Sequence, residues 1–110
     1  MYEYRATVQH VVDGDTIDFD VDLGFHVHQY MRVRLEGIDA PEKGTSGGSA
    51  ATEFVQATLP VGAEVVLLTT RDKQEKYGRY LARVYLVDGT TLQQRMITLG
   101  LAREYSGGAR

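Results

Sequence analysis

A strict alternation of apolar and acidic residues between Thr16 and Leu23 constrains the fold more than any other feature of this sequence. Every second position is apolar: Ile17, Phe19, Val21 and Leu23. The positions between them are all aspartate: Asp18, Asp20 and Asp22. Because successive side chains of a β-strand point to opposite faces, this period of two predicts a strand with one face buried and the other in water.

The flanking segments predict two further strands joined to this one by short turns. Val27–Leu35 alternates again, with its apolar residues directed inward: Val27, Met31, Val33 and Leu35. The opposite face carries His28, Tyr30, Arg32 and Arg34. If the two strands form a hairpin, this basic face lies beside the aspartates and makes favourable cross-strand charge pairs. Tyr4–Val12 is rich in β-forming residues and precedes the turn signal Asp13-Gly14, so it is predicted to be the first strand.

The rest of the chain predicts two helices and two more strands. In order, we expect an irregular surface loop over Gly37–Gly48, a short helix capped by Ser49 and stopped by Pro60, a strand over Ala63–Thr70, a charged loop over Arg71–Arg79, a strand over Tyr80–Val87 and a helix over Thr91–Leu99. The tail from Ser106 is expected to fray. The order β-β-β-α-β-β-α matches a five-stranded OB-fold barrel with two helices, a β-rich α+β fold. A layered α/β sheet needs helices between most strands, and the pattern lacks them.

Length and composition narrow the classes of protein further. The 110 residues are expected to form a single domain over residues 1–110. The absence of cysteine excludes disulfides, thiolate metal sites and cysteine nucleophiles. The net charge of −3, from 12 basic and 15 acidic residues, argues mildly against strong non-specific affinity for nucleic acid. A small basic cleft can nevertheless lie on an acidic body.

The same reading sets expectations for location and partners. No apolar run is long enough for a membrane span, so no membrane partner is expected, and no protein partner is implied. The N-terminal residues carry no secretory signal. This predicts a cytoplasmic or host-cell location, or secretion if a leader has been removed.

Acidic and basic residues cluster where the predicted strands begin and end. The acids are Asp13, Asp15, Asp39 and Glu42, and the nearby arginines are Arg34 and Arg79. Each segment alone is explained more simply as a turn or an exposed ion pair. All of them together indicate metal-assisted phosphodiester chemistry, because carboxylates suit Ca²⁺ or Mg²⁺ and guanidinium groups suit phosphate. Four carboxylates against two arginines would repel one another without a divalent cation.

Four ordered blocks of this sequence resemble the signatures of the staphylococcal nuclease (thermonuclease-like) family. The blocks are Val11–Thr16, Val33–Glu42, Asp72–Ala82 and Leu99–Ala102. The resemblance implies the same OB-fold barrel and a Ca²⁺-dependent phosphodiester hydrolase acting on DNA, RNA or both. It also implies attack by water that leaves a 5′-hydroxyl and a 3′-phosphate.

The resemblance assigns roles to individual residues of this chain. The implied calcium ligands are Asp15, Asp39 and the backbone carbonyl of Ala40. Asp13 is implied to lie next to these ligands without binding the ion itself. The implied catalytic residues are Glu42, associated with the attacking water, and the phosphate-binding Arg34 and Arg79. The implied substrate-binding residues are Lys76, Tyr77 and Tyr105. For Tyr105, simple packing is an equal alternative.

The sequence departs from the family pattern at Ala40 and near its C-terminal end. Ala40 stands where some relatives have a hydroxyl-bearing residue, so a side-chain hydrogen bond is lost while a carbonyl ligand is kept. The sequence also ends soon after the second predicted helix, whereas the best-known relative continues into a long third helix.

Two non-enzymatic alternatives stay open at this point: an inactive nucleic-acid- or protein-binding module on the same barrel, and a structural domain whose charges are surface ion pairs. The residues that a degenerate binder is expected to have lost are all present: Asp15, Arg34, Asp39, Glu42 and Arg79. Their presence favours the enzyme. A surface role for the charges does not account for four ordered blocks.

Overall fold

The computed structural model describes residues 2–69 and 78–105. Within these ranges the chain forms seven strands and two helices. In chain order they are β1 (Tyr2–Asp13), β2 (Thr16–Asp22), β3 (His28–Leu35), β4 (Ile38–Asp39), α1 (Ser46–Thr58), β5 (Glu64–Thr69), β6 (Tyr80–Tyr85), α2 (Leu92–Thr98) and β7 (Arg103–Glu104).

Five of the strands close into a barrel in the order β1-β2-β3-β6-β5. All neighbours are antiparallel except β3 and β6, which run parallel. The long strand β1 pairs with β5 through residues 2–7 and with β2 through residues 6–13. Two register shifts in β1 bend the strand, so that it can pair with both β2 and β5. The predicted five-stranded OB-type barrel with two helices is confirmed.

The apolar residues of the alternating strands fill the barrel. Ile17, Phe19 and Val21 of β2 are buried, as their spacing predicts. Ala51 and Val55 of α1 and Leu92 and Met96 of α2 are also buried and belong to the same core cluster. Full burial of an apolar side chain of this size contributes about 1.5–3 kcal/mol, so this cluster is the main source of stability.

The predicted wet face of β2 is wrong at Asp18, whose side chain is only 2% exposed. Two residues of β3 cover it. Arg32 donates from Nε and Nη2 to the two carboxylate oxygens at 2.8 and 3.1 Å, and the Tyr30 hydroxyl donates at 3.0 Å. The predicted cross-strand charge pairing is confirmed, because the register sets Asp18 opposite Arg32. The alternation identified the face, but it did not show that the long side chains of β3 fold over it.

The hairpin between β2 and β3 corrects the predicted direction of two apolar residues. Leu23 is 36% exposed and Val27 is 52% exposed, whereas both were expected to face the core. The chain leaves the sheet at Gly24, and Phe25 and His26 adopt left-handed φ values of 55° and 62°. The alternation in the sequence therefore continues past the residues that pair.

The predicted irregular segment Gly37–Gly48 is wrong at both ends. Near its start, β4 pairs with β7 and ties the chain after α2 to the chain after β3. Near its end, α1 begins four residues earlier than expected, because the side chain of Thr45, not that of Ser49, caps it by accepting from the Gly48 amide at 2.9 Å. The tail from Ser106 and most of the charged loop lie outside the described residues. In residues 2–69 and 78–105, no helix combines the length and apolarity needed to cross a membrane.

Candidate active site

The turn between β1 and β2 positions Asp15 at one end of the barrel. The Asp15 amide donates to Asp13 Oδ1 at 3.0 Å, and its carbonyl accepts from the Leu35 amide at 2.8 Å. Between the two acids, Gly14 packs so closely that a Cβ there would lie 2.7 Å from Cβ of Ala51 in α1. These contacts fix the turn against both β3 and α1, and Asp15 is buried at 8% exposure.

Arg34, the penultimate residue of β3, joins the carboxylates into one cluster. Its Nη2 lies 3.6 Å from Asp15 Oδ2 and 3.4 Å from Asp39 Oδ1. Its Nη1 donates to the Leu35 carbonyl at 3.0 Å. Only 5% of the residue is exposed. A buried guanidinium is costly unless it is paired, so the two aspartates and Arg34 stabilise one another's charged forms.

The short strand β4 brings Asp39 and Ala40 to the same place. The Ala40 amide donates to Asp15 Oδ2 at 3.2 Å, and Asp39 shares the Arg34 guanidinium with Asp15. The Asp15 and Asp39 carboxylates and the Ala40 backbone are therefore neighbours. In the described part of the chain, no group of three or more histidine, aspartate or glutamate side chains converges as a metal site. Two carboxylates and one carbonyl fit a hard divalent cation that keeps positions for water and phosphate.

Glu42 is exposed on the loop between β4 and α1, and its backbone is firmly placed. Its carbonyl accepts from the Thr45 amide at 3.2 Å and from the Thr45 hydroxyl at 2.7 Å. A Cβ at Gly48 would lie 1.9 Å from that carbonyl oxygen, and one at Gly47 would lie 3.2 Å from the ring of Pro41. The two glycines, which the sequence suggested were part of a loop, let the Glu42 backbone lie directly on the first turn of α1.

Arg79 reaches the cluster from the other side, because β6 runs parallel to β3. It is half-buried, and its Nη1 lies 3.5 Å from the Thr16 hydroxyl. Thr16 in turn donates to Asp15 Oδ1 at 3.2 Å. Both predicted arginines thus belong to the same end of the barrel. Lys76 and Tyr77 lie outside the described residues, so their contact with substrate stays a prediction.

Tyr105 lies against the cluster from beyond β7. Its ring centroid is 5.5 Å from Cζ of Arg34, within the range of a cation–π contact. Its amide donates to the Gly37 carbonyl at 2.9 Å, which anchors the residue beside the end of β3. Tyr105 therefore packs on Arg34, the buried arginine of the cluster.

Arg103 belongs to the site and was missed by the sequence analysis. The β4–β7 register sets it opposite Asp39, and its Nη2 lies 3.4 Å from Asp39 Oδ2. The sequence pointed to two arginines near these acids, and Arg103 is a third. No local motif could reveal this contact, because 64 residues separate the two side chains along the chain.

Asp13, the acid next to Asp15 in the turn, has a raised pKa. Burial raises the pKa of Asp13, and the hydrogen bond and negative charge of Asp15 raise it further, against a lowering by the Asp15 amide. Burial beside Asp15 therefore favours the protonated form of Asp13.

The fold and site define a class: an OB-type barrel carrying a buried arginine–carboxylate cluster suited to a phosphate ester. The chain belongs to the staphylococcal nuclease family, since the family model described as staphylococcal nuclease homologue matches residues 32–109. An uncharacterized endonuclease of Escherichia coli is 36% identical over 103 residues, covering 94% of this chain and 62% of the relative.

Two further relatives carry the family's enzyme names. A micrococcal nuclease of Shigella flexneri is 41% identical over 83 residues, covering 76% of this chain and 43% of the relative. A thermonuclease of Staphylococcus intermedius is 38% identical over 103 residues, covering 88% of this chain and 54% of the relative. The chain spans less than two thirds of the length of each of these three relatives.

Proposed function

We propose that this protein is a Ca²⁺-dependent nuclease that hydrolyses phosphodiester bonds of DNA, RNA or both. The observation that carries the proposal is the buried Arg34 guanidinium within 4 Å of both Asp15 and Asp39 at one end of the barrel. A phosphate group and a divalent cation are the two ligands that such a cluster suits. Membership of the staphylococcal nuclease family and relatives named as nucleases support the same chemistry.

The proposed metal residues are Asp15, Asp39 and the carbonyl of Ala40, with Asp13 behind Asp15. Bound Ca²⁺ would supply Lewis acidity at a phosphoryl oxygen and an attachment point for water. The Ala40 amide already donates to Asp15, which fixes one carboxylate oxygen and orients the group. The exposed loop leaves the Ala40–Glu42 segment accessible to a strand of nucleic acid.

In the proposed reaction, Arg34 and Arg79 bind the scissile phosphate and stabilise the charge that builds on its oxygens. Glu42 orients the attacking water and accepts its proton. The water oxygen forms a bond to phosphorus while the bond from phosphorus to the 5′ oxygen breaks. The 5′ oxygen takes up a proton from solvent and Glu42 returns its proton to solvent, so the products carry a 5′-hydroxyl and a 3′-phosphate.

Digestion of single-stranded DNA and RNA with Ca²⁺, with Mg²⁺ and with EDTA tests this proposal. We expect cleavage in Ca²⁺ only, with 5′-hydroxyl and 3′-phosphate ends in an end-group assay. Calorimetry with Asp15→Asn checks the ligand assignment, since this variant should lose Ca²⁺ binding. Binding of nucleic acid without cleavage in any metal would instead identify an inactive binding module.

A further inference from the structure

A cleft of about 460 Å³ opens next to the arginine–carboxylate cluster. One wall is the loop from Asp39 to Glu42, and the other is the segment from Gly100 to Arg103 that links α2 to β7. The volume lies within the range of about 300–1,000 Å³ that small-molecule sites occupy. Because Asp39 and Glu42 line it, the cleft continues directly from the residues to which we have assigned metal binding and water attack.

The interior of the cleft is apolar at its base. Ala40, Leu101 and Ala102 are half-buried and pack against the hydrophobic core, and Pro41 lines the same wall. An apolar base of this kind suits the face of a sugar or a nucleobase, neither of which carries charge.

Arg103 supplies the positive charge of the cleft among the described residues that line it. Its side chain is 80% exposed, and one nitrogen, Nη2, contacts Asp39 Oδ2 at 3.4 Å. A guanidinium carries five N–H donors, so this single contact leaves donors directed to solvent. The Asp39 carboxylate thus holds Arg34 on one oxygen and Arg103 on the other.

We propose that this cleft is a subsite for the nucleotide next to the scissile bond, and that Arg103 contacts the phosphate beyond it. The inference rests on the proposed nuclease function. The shared Asp39 sets the two guanidiniums side by side, so that Arg34 takes the scissile phosphate while Arg103 takes its neighbour on the same strand. The sugar and base between the two phosphates lie over Ala40, Leu101 and Ala102.

The first test measures binding, which needs no catalysis. Fluorescence anisotropy with a single-stranded oligonucleotide in EDTA gives the affinity of wild type, Arg103→Gln and Arg95→Gln as the salt concentration is varied. Arg95 is the matched control, because it is a partly exposed arginine paired with one aspartate, Asp88, outside the cleft. We expect Arg103→Gln to bind about tenfold more weakly at low salt, since one charge-assisted contact is lost. Its log–log salt slope should shrink by about 0.7, the contribution of one phosphate.

The second test uses two substrates in Ca²⁺. A dinucleoside monophosphate contains only the scissile phosphate, whereas a longer oligonucleotide contains its neighbours. Arg103→Gln should raise KM for the oligonucleotide by a larger factor than KM for the dinucleoside monophosphate, because only the oligonucleotide carries the neighbouring phosphate. Arg103→Lys should restore part of the loss. Arg95→Gln should match wild type on both substrates.

The outcomes separate this inference from the function on which it rests. If wild type cleaves neither substrate but Arg103→Gln still loses affinity and salt slope, the nuclease proposal fails and Arg103 stands as a phosphate contact of a cleft that binds nucleic acid. If wild type cleaves and Arg103→Gln keeps wild-type affinity, slope and KM, the subsite is overturned. Tighter Ca²⁺ binding by Arg103→Gln with an unchanged salt slope would also overturn it, because Arg103 would then serve only as the partner of Asp39.

Discussion

Arg34 has the most constrained charge of the proposed site. It is buried, two carboxylates share its Nη2, and its Nη1 is held by a backbone carbonyl. Removing the charge would leave Asp15 and Asp39 buried without their common partner, which costs about 3–5 kcal/mol for buried pairs. A test of its chemistry therefore has to keep the positive charge and change only the shape of the group.

Arg34→Lys meets that requirement. Lysine offers a point charge in place of a planar guanidinium, so it cannot contact both aspartates and a phosphate in the same geometry. We expect kcat to fall by about 10²–10³, the usual cost of losing a preorganised donor in the transition state. Arg83→Lys, an exposed substitution on β6, is the control in the same steady-state assay. A near-wild-type kcat for Arg34→Lys would show that the planar geometry is not needed.

Asp18 is a second buried charge, and its role is structural. The hydrogen bonds from Arg32 are the largest cause that lowers its pKa, and the hydrogen bond from Tyr30 lowers it as well. A carboxyl whose pKa is lower in the folded state stabilises the fold above the unfolded pKa. This contribution is lost as the pH falls through the folded pKa, below about pH 4.

Asp18→Asn removes that titration. At pH 7 we expect the variant to be less stable than wild type by about 1–3 kcal/mol, the cost of weakening hydrogen bonds to a buried charged group. The difference should narrow below pH 4, where wild type loses the same interaction by protonation. Urea unfolding at pH 7 and pH 3 measures both values. A constant difference across this range would mean that Asp18 does not carry the pH dependence. Asp22→Asn, an aspartate on the same strand nearer the hairpin, is the control.

At the scale of elements, the first turn of α1 acts as a support for the loop that carries Glu42. Ordinarily an alanine in a helix is more favourable than a glycine by about 1 kcal/mol. At position 48 the added Cβ would lie 1.9 Å from the Glu42 carbonyl oxygen, so the loop has to move. Alanine at position 48 would therefore favour the helix but displace the loop that carries Glu42.

We expect Gly48→Ala to fold but to lose about 10²-fold in kcat, because a displacement of about 1 Å at a catalytic group has an effect of that size. The affinity for Ca²⁺ should change less than kcat, since two of the three proposed ligands, Asp15 and Asp39, lie outside the displaced loop. Ser49→Ala, one residue further along the exposed side of α1, should keep wild-type activity. Steady-state kinetics, calorimetry and thermal unfolding together separate displacement of the loop from loss of the fold. Wild-type kcat in Gly48→Ala would exclude a supporting role for the helix.

The strands and helices differ in how well their positions could be predicted from the sequence. Long alternating segments predicted β2 and β3 and the pairing of their acidic and basic faces, because the period of two reports on which side chains share a face. The start of α1 was misplaced, because Gly47 and Gly48 are typical of loops unless the close approach of Glu42 is known. The two-residue strands β4 and β7 have no local signal, and they bring Arg103 to Asp39. The carboxylates and arginines could be predicted from motifs, whereas the contact from β7 depends on the closed fold.

For the whole molecule, the proposed site must act on a polyanion from a body of net charge −3. Attraction therefore comes from a few local contacts, chiefly with Arg34, Arg79 and Arg103. Among the described residues, the site lies on strands, turns and loops, and none of it is on a helix that could enter a major groove. Sequence is read best in that groove, so the arrangement favours recognition of phosphate and stacked bases.

We accordingly expect cleavage with little sequence preference and faster digestion of single strands than of intact duplex. Activity should fall as salt rises, with a log–log slope of KM of about 2 if three phosphates are contacted. Digestion ladders on a mixed-sequence duplex and on its separated strands, repeated across a salt series, measure these properties. One dominant cut at a single motif, or a preference for intact duplex, would contradict the expectation without affecting the nuclease proposal.

The pairing of β4 with β7 has a consequence for biosynthesis. Asp39 and Arg34 are synthesised early, but Arg103 and Tyr105 contact them only after almost the whole described chain has been made. A nascent polypeptide that still lacks these residues carries Asp15, Arg34 and Asp39 but not the assembled cleft. Translation therefore imposes a delay between the synthesis of the acidic residues and the appearance of a competent site. During that delay, the nascent chain carries the acidic residues without the positive charge of Arg103 or the ring of Tyr105.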